Sequence, residues 1–265
     1  KLPFFGWGIA QMPMIAIDRS AGKDALAQVE EQGRDRLAHG FWVTIFPEGT
    51  RVAPGSKKRY KAGGAVLASG LRLEEFFDQK DHLSKREKSL IGHYAASLVS
   101  ENETVFVNAG STTLEVIRHL RGKKVRIVTN NAACLGLDLD PDQEVILLGG
   151  DYRSASKSLV GDLTIAGLHS IFSSVTFLGI NGVSIKKGCT SAVHQETAVN
   201  RAMIENSSGK VIVVADHTKM NCVSSFLTCP LNRIDMVVTD WMAPAAFCEE
   251  IEEAGLCVVR VPDED

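Results

Sequence analysis

The chain has 265 residues, of which 45% are hydrophobic and 23% are charged. This length leaves room for one or two domains, and this composition excludes a largely disordered chain and a small disulfide-stapled protein. Residues 1–70 carry 10 Lys and Arg against 6 Asp and Glu, a charge of +4, whereas residues 71–265 carry 19 against 26, a charge of −7. The acidic second part disfavours broad non-specific binding of nucleic acid there, because phosphate contacts need Lys and Arg.

Membrane insertion and secretion are not indicated by the sequence. No apolar run approaches the ~18 residues of a membrane-spanning helix, and the first residues lack the apolar stretch and cleavage site of a signal peptide. The six cysteines include no C-x-x-C pair, and no His and Cys group has zinc-site spacing. We therefore expect a cytoplasmic protein with reduced thiols, no metal and no cofactor. The first residue is not Met, so we expect that an upstream segment was removed.

Residues 1–70 show short apolar pieces separated by turns. An amphipathic helix is predicted over about 23–38, a strand over 41–46 and an exposed basic loop over 55–64. From 71 to 100 the pattern is charged and helical. Its later part places five apolar residues on one face: Leu90, Ile91, Tyr94, Ala95 and Leu98.

From residue 104 onward, predicted strands and helices alternate. Short β-branched runs predict strands over 104–107, 124–129, 144–148, 175–180, 210–215, 236–239 and 256–261. Helical patterns cover 112–120, 132–137, 195–204 and 245–254. The alternation predicts an α/β fold, a largely parallel sheet with helices on both faces.

Polar or glycine-rich loops follow five of these strands. Ligands bind at the carboxyl ends of strands in such sheets, so we expect the loops to form one pocket. The first loop, Asn108-Ala109-Gly110-Ser111-Thr112-Thr113, leads straight into a helix, where free N–H groups and the helix dipole favour a phosphate. The other four are Thr129-Asn130-Asn131, Gly149-Gly150, Gly179-Ile180-Asn181-Gly182 and Asp216-His217-Thr218-Lys219.

Each loop also has a purely structural explanation. Ser111 or Thr112 alone would most simply be a helix N-cap, and Asn130 could cap the next helix. Turn formation explains Gly149-Gly150, and Lys219 alone could be a solvated surface residue. Five such loops at one edge of the sheet favour the pocket.

Residues 82–265 resemble the effector domain of DeoR-type sugar-responsive transcriptional regulators. Eight motifs in the family's order carry the resemblance: Glu87-Lys88, Asn108 to Thr113, Val128 to Asn131, Leu147 to Gly150, Val160-Gly161, Leu178 to Gly182, Glu196 with Met203-Ile204, and Ala215 to Lys219. That family's sensor domain is similar in fold to ribose-5-phosphate isomerase and glucosamine-phosphate deaminase. It typically binds a phosphorylated sugar, and the resemblance implies the same fold and ligand class here.

The resemblance also implies which residues bind the effector. The phosphate would be held by Gly110, Ser111, Thr112 and Thr113. The sugar or phosphate would be faced by Asn130, Asn181, Glu196 and Lys219. The neighbouring candidates for effector binding are Thr129, Asn131, Gly149, Gly150 and Gly182. Two positions depart from the family, since Asn108 stands where many relatives have Asp and Cys189 where Leu is more usual.

The resemblance implies sensing rather than turnover, so we expect no catalytic residue. Glu196 is the one candidate base for a sugar-phosphate isomerase, the third functional alternative. It falls at the start of a predicted helix, where a favourable interaction with the helix dipole is the simpler role.

Residues 1–68 resemble a different family, the PlsC-type lysophospholipid (1-acylglycerol-3-phosphate) acyltransferases. The carriers are Pro3 to Gly8, Ile17-Asp18-Arg19, Phe46 to Arg51 and Tyr60 to Ala65. A substrate-phosphate site remnant is expected at Glu48, Gly49, Thr50 and Arg51, whose Arg can bind a phosphate in bidentate fashion. That family's chemistry needs an H-x-x-x-x-D motif, and none of the seven histidines begins one. We therefore rank an acyl-CoA-dependent acyltransferase below the sensor and expect it to be inactive.

Three domains are expected from these resemblances. Residues 1–70 form a partial acyltransferase-like segment, 71–100 a helical linker and entry helix, and 101–265 the effector-binding domain. DeoR-type regulators normally begin with a winged helix-turn-helix, so operator DNA is expected only through a domain missing from this chain. We interpret the chain as a hybrid, natural or produced by a gene-model or assembly error, joined in or near 62–70. We also expect a homo-oligomer, with the helix of 71–100 either in its contacts or a solvated linker.

Overall fold

The computed structural model describes residues 71–72 and 76–263 of the chain. These residues belong to one unit. The elements predicted over 23–38, 41–46 and 55–64 lie outside the described residues, as does the acyltransferase-like candidate site at Glu48, Gly49, Thr50 and Arg51. The three domain boundaries expected from the sequence stay a prediction.

Fourteen strands and six α-helices are present in the described residues. The strands are β1 Leu71–Arg72, β2 Thr104–Val107, β3 Arg126–Thr129, β4 Glu144–Leu147, β5 Asp151–Arg153, β6 Ser158–Val160, β7 Ser173–Leu178, β8 Gly182–Ser184, β9 Gly188–Ser191, β10 Ser207–Val214, β11 Val223–Ser224, β12 Phe226–Cys229, β13 Met236–Asp240 and β14 Cys257–Val261. The helices are α1 Phe77–His82, α2 Lys85–Ser97, α3 Ser111–His119, α4 Asp162–Leu168, α5 His194–Glu205 and α6 Ala245–Glu253. Short 3₁₀ helices lie at Ala132–Gly136, His217–Lys219 and Leu231–Arg233.

Seven strands form a parallel sheet in the order β14-β13-β10-β7-β2-β3-β4. On one side of β2 lie β3 and β4, in chain order. On the other side of β7 lie β10, β13 and β14, also in chain order. The order therefore reverses between β2 and β7, which leaves a crevice at their carboxyl ends.

Helices cover both faces of this sheet. Alternate residues of β2 point to opposite faces, so Val105 and Val107 pack in one apolar cluster and Phe106 in the other, each fully buried. The first cluster includes Ile91 of α2 and Ile117 of α3, and the second includes residues of α4, α5 and α6. This arrangement confirms the predicted α/β fold.

Several local features differ from the sequence-based elements. The helical pattern of 71–100 breaks into α1 and α2, because Ser84 adopts a left-handed backbone conformation with φ of 50°. The helix predicted over 132–137 is a short 3₁₀ helix. The sequence also gave no indication of α4 or of the smaller sheets, which are the antiparallel β12-β9-β8, the hairpin β5-β6 and the parallel pair β1-β11.

Two kinds of feature are absent from the described residues. None of the helices within 71–72 and 76–263 combines the length and apolar character that crossing a bilayer requires. In the same part of the chain, no group of three or more His, Cys, Asp and Glu side chains is placed to hold a metal ion.

The tight contact between α2 and α3 gives a test of the packing. A Cβ added at Gly92 would lie 2.7 Å from the backbone carbonyl carbon of Glu115. Overpacking costs about 1–3 kcal/mol, and the better helix propensity of Ala returns at most about 1 kcal/mol. We therefore expect Gly92→Ala to lower the free energy of unfolding in urea titrations. The matched control is Gly136→Ala, because a Cβ at Gly136 would meet no atom within 4 Å; equal stability of the two variants would contradict this packing.

Candidate functional site

A cavity partly open to solvent lies at the carboxyl ends of β2 and β7, with about 530 Å³ of empty space when its open mouth is counted. The loop after β2 supplies Asn108 to Thr112, and the loop after β7 supplies Gly179 to Asn181. The reversal of strand order places these two loops side by side above the sheet. The cavity therefore occupies the position where the fold most readily accepts a ligand.

The N-terminus of α3 forms one wall of the cavity. Ser111 is the first helical residue, and no side chain caps the helix at Gly110. The N–H groups of the first turn therefore keep their hydrogen-bonding capacity, and the helix dipole adds a partial positive charge there. This wall can bind an anion, and the N-cap alternative for Ser111 and Thr112 is not realised.

Three lysines from separate elements line the same cavity. Lys80 comes from α1, Lys88 from α2 and Lys219 from the 3₁₀ helix after β10. The Lys88 side chain is only 4% exposed and donates hydrogen bonds to the carbonyl oxygens of Lys80 and, at 2.7 Å, Leu83. Burial lowers the pKa of Lys88, the nearby Asp216 carboxylate opposes that shift, and the positive charge of Lys219 adds to it. An anion in the cavity would offset this unfavourable burial of positive charge.

Polar side chains line the rest of the cavity. Glu196 accepts a hydrogen bond from Ser158 at 3.0 Å and lies 4.0 Å from Arg153. The Asn181 Oδ1 accepts from the backbone N–H of Ala192 at 3.0 Å. Asp216, 2% exposed, is the N-cap of the 3₁₀ helix that carries Lys219. These groups suit a ligand with several hydroxyls.

The loop that carries Lys219 is fixed from below by Asp240. This fully buried carboxylate accepts a hydrogen bond from the His217 backbone N–H at 2.7 Å and pairs with the His217 ring Nδ1 at 3.0 Å. The pairing restrains His217, the first residue of the 3₁₀ helix that ends at Lys219, so Asp240 helps to position that helix.

The structure brings six of the sequence-predicted site residues into the cavity lining: Gly110, Ser111, Thr112, Asn181, Glu196 and Lys219. The other predicted residues lie outside the lining, and their part in ligand binding stays a prediction.

Four predicted residues form a buried layer that holds the first loop. Thr113 donates to the Asn108 carbonyl at 2.8 Å, and Thr129 donates to the Val107 carbonyl at 2.6 Å. Asn130 accepts from the Ala109 N–H at 2.9 Å, and Asn131 donates to the Gly110 carbonyl at 3.0 Å. The layer fixes the backbone of residues 108–110 from beneath.

The three predicted glycines outside the cavity lining have backbone roles. Gly150 has a φ of 136°, and a Cβ there would lie 2.0 Å from the Thr164 Oγ1. A Cβ at Gly182 would lie 2.4 Å from the Cys222 carbonyl oxygen. Gly149 accepts a hydrogen bond from Thr164 through its carbonyl. Turn geometry and close packing account for these positions.

Asn108 and Asp216, which belong to the loops expected to form the pocket, also line the cavity. Four lining residues were not among the predicted site residues or pocket loops: Lys80, Lys88, Ser191 and Asn200. Asn200 follows Glu196 by four residues on α5, a spacing that puts both on one helix face and could have indicated it. Lys80 carried no sequence signal, because its approach depends on the break at Ser84.

Comparisons with known proteins divide the chain in two. The model of the DeoR C terminal sensor domain family matches residues 83–241, and an acyltransferase family model matches residues 1–72. The HTH-type transcriptional regulator GlpR of Haloferax volcanii is 32% identical over 198 residues, which are 74% of this chain and 77% of that protein. A 1-acyl-sn-glycerol-3-phosphate acyltransferase of Pseudomonas aeruginosa is 51% identical over 67 residues, 25% of this chain and 26% of that enzyme.

Solved structures overlap with part of the chain. The crystal structure of ribose 5 phosphate isomerase A from Neisseria gonorrhoeae matches with 20% identity and a TM-score of 0.35. The match covers 53% of this chain, and it spans about half of that protein's own length (54%).

The buried Lys88 gives a test by pH. The pKa of Lys88 in the folded chain lies below the ordinary 10.5. At pH values between the folded and the unfolded pKa, the unfolded chain holds more protons, so the free energy of unfolding rises with pH. Lys88→Met removes this contribution. We expect the stability difference, wild type minus variant, to increase from about pH 7 toward pH 10 in urea titrations.

The exposed Lys186 supplies the control for this titration. Lys186→Met removes a lysine charge outside the cavity, and its stability difference from wild type should not follow the same rise. A Lys88→Met difference that is flat with pH would contradict a depressed pKa.

Proposed function

The chain belongs to the DeoR family of transcriptional regulators, and from this premise we propose that its described part is a sensor that binds a phosphorylated sugar in the cavity between β2 and β7. The observation that carries the proposal is the convergence of three lysines and an uncapped helix N-terminus on one cavity. Each group favours an anion, and together they favour one of high charge density such as a phosphate.

The phosphate lies at the N-terminus of α3 in this proposal. The N–H groups of the first turn, with the Ser111 and Thr112 hydroxyls, donate to its oxygens. Lys88 supports this placement, because its ammonium is buried at a cost that a nearby phosphate offsets.

The sugar lies toward Asn181, Glu196 and Asp216. The two carboxylates accept hydrogen bonds from hydroxyls, and they repel a ligand that is anionic along its whole length. A molecule with one phosphate end and one neutral, hydroxylated end satisfies both halves of the cavity.

Glu196 serves as a binding group rather than as the base of an isomerase in this proposal. Its carboxylate accepts from Ser158, lies near Arg153 and sits in the first turn of α5, where the dipole favours negative charge. All three surroundings hold the carboxylate in place as a hydrogen-bond acceptor.

Binding then changes the regulator by shifting an equilibrium between two conformations or two states of a homo-oligomer. A ligand can shift such an equilibrium only by as much as its affinities for the two states differ. We propose that this shift alters the control of transcription.

Thermal unfolding with a panel of phosphorylated sugars tests the proposal. A ligand at ~100 times its dissociation constant adds ~2.7 kcal/mol to stability, which raises the Tm by several degrees for a domain of this size. We expect at least one phosphorylated sugar to do this. Lysophosphatidate and acyl-CoA form parallel arms, because residues 1–72 match an acyltransferase family; stabilisation by these lipids alone would overturn the sensor.

Two variants locate the binding site. Thr112→Ala and Lys219→Ala should each lower the affinity for the stabilising sugar phosphate by about tenfold or more, since each removes a hydrogen bond or a charge at the phosphate. Lys186→Ala, on the exposed turn between β8 and β9, is the matched control and should bind as wild type does. Isothermal titration calorimetry gives the affinities; if all three variants bind equally, the site lies elsewhere.

A further inference from the structure

We propose that Asn200 determines the specificity of the cavity by donating its amide N–H groups to an oxygen of the sugar. In this proposal Asn108 fixes the orientation of the Asn200 amide. The inference rests on the proposed function, because it concerns the sugar end of the same cavity. It starts from the hydrogen bonds of two buried amides, Asn108 at 1% exposure and Asn200 at 3%.

The orientation of Asn108 is set by the backbone. Its Oδ1 accepts from the Gly179 N–H at 2.7 Å, and its Nδ2 donates to the Gly179 carbonyl at 2.8 Å. A backbone N–H can only donate and a carbonyl can only accept, so the two ends of the Asn108 amide are assigned by their partners.

The second hydrogen of the Asn108 Nδ2 then orients Asn200. It points to the Asn200 Oδ1, at a nitrogen to oxygen distance of 2.9 Å. Only the oxygen of the Asn200 amide can accept this hydrogen bond, so the NH₂ group is turned away from Asn108. Asn200 lines the cavity, and its Oδ1 is the end of the amide that Asn108 holds. The NH₂ group is therefore presented to the ligand.

The neighbouring Asn181 is oriented by the same logic. Its Oδ1 accepts from the backbone N–H of Ala192, which leaves its NH₂ group for the cavity that it lines. Two neutral donors thus belong to the sugar end, alongside the acceptor carboxylates of Glu196 and Asp216.

A pure donor at Asn200 selects the chemistry of the group placed against it. A hydroxyl, ring or carbonyl oxygen has lone pairs to accept these hydrogen bonds. The ammonium of an amino sugar has none, and it would leave a buried amide unpaired. Sites of this kind discriminate strongly, because rejection comes from unsatisfied polar groups rather than from size.

One substitution at position 108 should reverse the orientation of the Asn200 amide. In Asn108→Asp, the carboxylate has no hydrogen for Asn200 and places an oxygen beside the Gly179 carbonyl. Asn200 then turns its NH₂ group toward position 108 and presents its Oδ1 to the cavity. Asn200→Asp removes the same donors directly, while the new side chain still accepts from Asn108.

Calorimetry on the full chain tests the inference with three kinds of probe. These are D-glucose, D-galactose and D-fructose 6-phosphates, the 2-amino-2-deoxy counterparts of the two aldoses, and inorganic phosphate. We expect the sugar phosphate that binds wild type to lose about tenfold or more in affinity in both Asn200→Asp and Asn108→Asp. Inorganic phosphate should lose much less, because it needs only the α3 end of the cavity.

Asn206→Asp is the matched control, since it adds the same charge at the end of α5 where Asn206 donates to the Ala202 carbonyl. It should bind every probe as wild type does. The inference is overturned if both cavity variants bind the sugar phosphate as wild type does, or if their affinities for it and for inorganic phosphate fall equally. Circular dichroism checks folding, and Asn200→Asp decides the result if Asn108→Asp does not fold.

The same experiment separates the inference from the proposed function. If wild type binds none of the phosphorylated sugars, the proposed function fails and the inference fails with it. If wild type binds one and the two cavity variants do not discriminate, only the role of Asn200 is lost.

Discussion

The pairing of β2 with β7 is the constraint on which the candidate site depends. These strands are parallel neighbours in register from Val105 opposite Val175 to Val107 opposite Phe177, yet β3 follows β2 on one side and β10 follows β7 on the other. Their following loops diverge, and the space between them cannot be filled by either connection. The helix N-terminus of α3, the Asn108 bridge to Gly179 and the face of α5 all meet there because the sheet leaves that position open.

The site contains a buried positive charge, the ammonium of Lys88, whose desolvation the fold only partly compensates. Lys88 is surrounded by protein, and its hydrogen bonds to two carbonyls compensate its lost hydration only in part, as the direction of its pKa shift indicates. A buried, imperfectly compensated charge at a cavity wall is typical of positions retained for binding rather than for stability. The apolar clusters on the two sheet faces supply the stability that tolerates it.

Much of the central fold could be predicted from the sequence, and the reasons are local. Buried parallel strands such as β2 and the second half of β10 are rich in β-branched residues, and polar loops follow them at the edge where ligands bind. The two resemblances read from motifs are confirmed, since the DeoR sensor-domain model matches residues 83–241 and the acyltransferase model residues 1–72. Strands of two to four residues such as β5, β8 and β11 lack the length for a readable pattern. Lys80 reaches the cavity only through tertiary packing, whereas the helical spacing from Glu196 could have indicated Asn200.

The close approach of α2 and α3 at Gly92 has an entropic consequence for binding. Lys88 lies one helical turn before Gly92 on α2, and the first turn of α3 lies one turn before Glu115, so a backbone contact braces the two anion-binding groups against each other. The helices cannot slide without a clash, and the spacing between ammonium and helix terminus is therefore set before any anion arrives. The binding groups therefore lose little conformational entropy when an anion binds, so more of the interaction energy appears as affinity.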